Sequence, residues 1–100
     1  MLNVNVEKNG TEVIVYIEGR MDTNSSPNVT EELSKNVDGT DKMIIDLEKL
    51  DYISSAGLRC FVMADQQMQT KGGELNVRNI PKTIMDIFEM TGFDNMLTII

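Results

Sequence analysis

Residues 43–59 read Met43-Ile44-Ile45-Asp46-Leu47-Glu48-Lys49-Leu50-Asp51-Tyr52-Ile53-Ser54-Ser55-Ala56-Gly57-Leu58-Arg59. The first five form a compact apolar run between charged loops, the pattern of a strand at the centre of a sheet. The stretch from Ser54 opens a helix that runs to about Thr70 and stops at Gly72-Gly73. Either serine can cap it. At 100° per residue Leu58, Cys60, Phe61, Ala64 and Met68 share one arc, whereas Met63 points away among Arg59, Gln66 and Gln67 and is expected to be exposed.

Outward from this stretch the pattern repeats. Leu2 to Val6 alternates apolar and polar, Asn9-Gly10 turns the chain, and Val13, Val15 and Ile17 share a face, which together read as a β-hairpin. A serine before Pro27 is expected to cap a short helix over about Pro27 to Val37, carrying Val29, Leu33 and Val37 and ending near Gly39. On the C-terminal side Glu74 to Val77 makes a fourth strand. Pro81 opens a third helix with Ile84, Ile87 and Phe88, Thr91-Gly92 closes it, and Met96 to Ile100 forms a last strand. Strands alternating with helices imply right-handed crossovers, hence an α/β fold with a mostly parallel sheet and one antiparallel hairpin.

One hundred residues, 41% apolar, suit one domain over residues 1–100. No segment is long and apolar enough to span a membrane, and the first nine residues lack a signal-peptide layout, so the expected location is the cytoplasm. A single cysteine, Cys60, fits a reducing compartment and reads as a small buried hydrophobe. The net charge of −7, with the basic residues scattered, argues against nucleic acid.

The chain has no histidine, which removes the commonest general base and metal ligand and the usual activator of a serine nucleophile. A nucleophile elbow would also need glycine where Ile53 stands. Lys71-Gly72-Gly73-Glu74 lacks the spacing of a phosphate loop, and the pairs Asp46/Glu48 and Glu31/Glu32 read as ordinary acidic surface. No enzyme, metal or cofactor is expected. The eight methionines are expected mostly to fill the core. What remains is Ser54-Ser55-Ala56-Gly57. On one reading a serine serves only as a cap, worth about 1 kcal/mol. Alternatively the site takes a phosphate, which a helix N-terminus tolerates and which would add about two negative charges to the surface.

The segment Asp46 to Arg59 resembles the signature of the STAS domain, named for sulphate transporters and anti-sigma factor antagonists. Gly19-Arg20-Met21-Asp22, Gly72-Gly73 and Thr91-Gly92-Phe93 resemble further family landmarks in the right order. The resemblance implies a mixed, mostly parallel sheet with an N-terminal hairpin and helices packed on one side. In the stand-alone members it implies an anti-sigma factor antagonist. Such a chain binds an anti-sigma factor that is also a serine kinase of the histidine-kinase-like ATPase fold. Phosphorylation of one serine releases that kinase, and a metal-dependent serine phosphatase resets the cycle.

Aligned on Gly57-Leu58, the phosphorylated serine falls on Ser55, with Ser54 as second choice because it stands where relatives often have aspartate. By the same resemblance Asp22, Ser54, Ser55, Ala56, Gly57, Leu58 and Met63 belong to the partner-binding surface. Ile100 falls about where a final helix follows in the family. The alternative role is a small STAS subunit docking on a transporter ATPase or signalling scaffold without phosphorylation.

Overall fold

The computed structural model describes residues 2–100. Six strands and three helices follow the order β1 (Leu2–Asn9), β2 (Glu12–Met21), α1 (Ser26–Lys35), β3 (Lys42–Asp46), β4 (Leu50–Ile53), α2 (Ser55–Thr70), β5 (Glu74–Arg78), α3 (Lys82–Thr91) and β6 (Thr98–Ile99), with a 3-10 turn at Phe93–Asn95. The sheet order is β1-β2-β3-β5-β6, and β4 lies off this path beside β2. Among the described residues only β1 and β2 pair antiparallel; the other pairings are parallel. The mixed, mostly parallel sheet with its N-terminal hairpin is therefore as expected.

The period of two along each strand decides which face is covered. Val13, Val15 and Ile17 of β2, Met43 and Ile45 of β3, and Leu75 and Val77 of β5 join one core. That core also takes Val29 and Leu33 of α1, Leu58, Phe61, Ala64 and Met68 of α2, and Ile84 and Phe88 of α3. All three helices thus lie on one side of the sheet.

β4 went uncounted among the expected strands, for a physical reason. The chain leaves β3 through Leu47–Lys49 and continues alongside β2, which pairs with β3 over Glu12–Tyr16 and with β4 over Gly19–Met21. Only Leu50 and Ile53 of β4 are buried, while Asp51 is exposed and Tyr52 half-buried, so the apolar signal is too thin to stand out. This split of β2 between two partners carries the chain to the end of the sheet where α2 begins.

Three other expectations change in detail. Helix α1 starts at Ser26, and no side chain caps it: the Ser25 hydroxyl accepts from the Asp22 N–H (2.9 Å), and the Ser26 hydroxyl donates to the Asp22 carbonyl (2.6 Å). The last strand shrinks to Thr98–Ile99 because the 3-10 turn takes up the chain before it. Among the described methionines, Met21, Met43 and Met68 fill the core, but Met63, Met90 and Met96 are exposed.

Candidate functional site

The Ser54–Leu58 segment sits where β4 hands over to α2, and three interactions fix it. The Ser54 N–H donates to the Met21 carbonyl (2.9 Å), tying the segment to the end of β2. The Ser54 hydroxyl oxygen accepts from the Gly57 N–H (3.2 Å), so Ser54 is the N-cap. The third is close packing: a Cβ at Gly57 would stand 2.8 Å from Ile53 Cγ1 and 3.1 Å from Met21 Cγ. Glycine lets the first turn of α2 press directly onto the ends of β2 and β4.

This frame separates the two serines. Ser54 is half-buried and its hydroxyl is spent on the cap. Ser55 is exposed at the first position of the helix, and its hydroxyl makes no hydrogen bond to the protein among the described residues. Ser54→Ala should lower stability by about 1 kcal/mol through loss of the cap. For a chain of this size that is a fall in melting temperature of roughly 4–8 °C by calorimetry, with Ser55 still presented outward.

Gly57 and Leu58, expected at a partner-binding surface, are buried, Leu58 to 1% exposure. They support the loop from beneath, because the helical period that turns Ser55 outward turns these two toward the sheet. Ala56 is half-buried and Met63 is 40% exposed, as its angular position demands. Ala56 and Met63 line a groove between α1 and α2 together with Thr23, Pro27, Thr30 and Arg59. At its floor Cys60 is buried, its Sγ 2.8 Å from Thr30 Oγ1.

Asp22 follows directly on Met21, which brings it beside Ser54, but its carboxylate serves its own loop. Oδ1 accepts from the N–H groups of Ser25 (2.9 Å) and Asn24 (3.0 Å) and from the Ser25 hydroxyl (3.1 Å). The Ser25 N–H, then the Ser25 hydroxyl, hold this carboxyl below the usual value against a small desolvation, with Asn24 and Arg20 adding to the effect. Arg20 stacks its guanidinium 4.1 Å from the centre of the Tyr52 ring and lies 3.9 Å from Asp22.

A second polar cluster lies at the carboxyl ends of β3 and β5. Asp46, read from sequence as ordinary acidic surface, is only 5% exposed. Its carboxylate accepts from Arg78 Nε and Asn79 Nδ2, both at 2.9 Å, and from the Glu48 N–H at 3.0 Å. Burial pushes its pKa up, but the Glu48 N–H, Arg78 and Asn79 together outweigh burial and hold it below the usual value. The partner 32 residues away could not be read from local pattern. Among the described residues no group of histidine, cysteine and carboxylate side chains could hold a metal ion, and no helix is long and apolar enough to cross a membrane.

The sequence pattern of the STAS domain matches residues 3–100. The chain belongs to the STAS domain family. Among curated STAS relatives, it is 33% identical over 82 residues to BtrV of Bordetella bronchiseptica, a protein named as an anti-sigma factor antagonist, covering 81% of this chain and 71% of the relative. It is 29% identical over 98 residues to the anti-sigma-B factor antagonist of Bacillus subtilis, covering 98% and 90%. Its STAS fold superposes on the Bacillus cell fate determinant SpoIIAA in the phosphorylated form with a TM-score of 0.77, over 98% of this chain and 91% of that one. At 15% identity, this last likeness is one of fold.

Proposed function

We propose that this chain is a cytoplasmic anti-sigma factor antagonist, a binding protein rather than an enzyme, switched by phosphorylation of Ser55. Its partner is an anti-sigma factor that doubles as a serine kinase of the histidine-kinase-like ATPase fold. The observation that carries the reading is the exposed, unengaged Ser55 hydroxyl, held on a first turn that Ser54, Gly57 and the Met21 carbonyl fix in place. Two curated relatives named as anti-sigma factor antagonists support it.

The mechanism needs no chemistry from this chain beyond a nucleophilic oxygen. The kinase removes the Ser55 proton, the Ser55 oxygen bonds to the γ-phosphorus of ATP, and the bond to ADP breaks. The modified helix start tolerates the product, because its free N–H groups and dipole favour an anion. A partner face seated on Ser55 meets about two added negative charges instead of a neutral hydroxyl. A metal-dependent serine phosphatase then hydrolyses the ester and restores the binding form.

Affinity capture from source cells with a Ser55→Ala chain as bait tests this. The expected result is a retained ATPase-fold kinase subunit, held through washes in ATP that release it from the wild-type chain. Retention of a transporter ATPase or a scaffold protein instead would make this a docking subunit and Ser55 an exposed helix residue without a switch.

A further inference from the structure

The chain has three arginines, and two are occupied. Arg78 is paired with Asp46, and Arg20 is held between Tyr52 and Asp22. Among the described residues Arg59 has neither a carboxylate within ion-pair distance nor an aromatic ring beneath it. With sixteen acidic residues against nine basic ones, a solitary arginine is unexpected. Among the described residues it is also the only charged one lining the groove between α1 and α2.

Arg59 is exposed and stands four residues after Ser55 on the same helix. Side chains at i and i+4 are neighbours on a helix surface, about 5–6 Å apart at Cβ. Helical side chains also lean toward the N-terminus, so Arg59 covers the turn that holds Ser55 and Ala56.

We propose that Arg59 is the intramolecular clasp of phosphorylated Ser55, its guanidinium pairing with the phosphate across one turn of α2. This rests on the reading of Ser55 as the phosphorylated residue. The planar fork of guanidinium N–H donors matches two phosphate oxygens at once, which a lysine ammonium does as a point charge only. Among the described residues no carboxylate lies within ion-pair distance of Arg59, and Asp22, on the loop before α1, is engaged with Ser25 and Asn24.

The pairing gives the modification a second effect. Before phosphorylation the groove offers a partner one cation in an otherwise uncharged lining, suited to a carboxylate beside apolar side chains. Afterwards that cation is committed to the phosphate. The partner loses an attractive charge as well as meeting a repulsive one.

The test uses the full chain with phosphoserine incorporated at position 55 during synthesis, so that no kinase is involved, and follows the phosphate titration by phosphorus NMR. The second ionisation should fall roughly 0.5 pH unit lower with Arg59 than with Arg59→Gln. Arg59→Lys should recover part of the difference, and Arg20→Gln should titrate like the parent. Unmodified Arg59→Gln should melt with the parent, since Arg59 is exposed. Equal midpoints for the parent and Arg59→Gln would overturn the clasp. Should the cognate kinase leave Ser55 unmodified while the midpoint shift is present, the clasp stands and the proposed function falls.

Discussion

Ser55→Asp is expected to lose tenfold or more in affinity for the proposed kinase partner while melting within about 3 °C of the parent chain. The two halves of this expectation come from different parts of the structure. Stability is spared because Ser55 is exposed, makes no hydrogen bond among the described residues, and opens a helix where a carboxylate gains about 0.3–1 kcal/mol from the dipole. Binding suffers because a charge placed where an interface closes is either repelled or left desolvated. Like-charge juxtaposition costs several kcal/mol, and 1.4 kcal/mol already makes a factor of ten. Titration calorimetry at low ionic strength checks it, since salt would mask a surface charge. Unchanged affinity there would rule out charge as the means of release.

Asp46→Ala should be the most damaging of the polar substitutions, lowering stability by about 2–3 kcal/mol. Breaking a buried pair costs about 3–5 kcal/mol, and Arg78, with 30% of its side chain exposed, recovers part of that from water. The corresponding loss in melting temperature is roughly 10–20 °C.

The same carboxylate sets an acid limit. Its pKa is lower in the folded chain than in the unfolded one, so its contribution is complete above the ordinary aspartate pKa and is lost as pH falls through the folded value. Asp65 runs the other way, since burial raises its pKa against a hydrogen bond from Gln69. Protonating it relieves a cost as pH falls. Denaturant titrations at several acid pH values should therefore show a steeper acid loss for the parent than for Asp46→Asn. Parallel curves would mean that Asp46 does not supply the acid dependence.

Much of the fold was legible because its signals are local. The Met43–Leu47 run marked a central strand, the Leu58–Met68 arc gave the inner face of α2, and Gly92 in the left-handed region (φ 79°) ends α3 as its position suggested. Met63 was placed outside by angle alone. What escaped depends on distant partners. β4 earns its place by pairing with β2 across about thirty residues, and Asp46 is buried because Arg78 reaches it from β5. The Ser25 and Ser26 hydroxyls turn back to Asp22 instead of capping α1, a choice between equivalent short-range bonds that composition does not decide.

At the candidate site, the sequence pointed to one segment but could not divide the work within it. The motif residues Ser54, Gly57 and Leu58 build the platform: a cap, a glycine that allows close approach, and a core side chain. Ser55 is what the platform presents. Such a division also fits the family resemblance, which implies aspartate at the position of Ser54. Serine and aspartate are near-equal N-caps, so the same first turn forms with either.

The most direct test of the proposed switch is peptide mapping by mass spectrometry after the purified chain is incubated with the proposed anti-sigma factor kinase and ATP. The expected result is one phosphate per chain, on Ser55, absent from Ser55→Ala and retained in Ser54→Ala, with the kinase released as the phosphate accumulates. A phosphate on Ser54, or a stable complex in which Ser55 stays unmodified, would contradict the account.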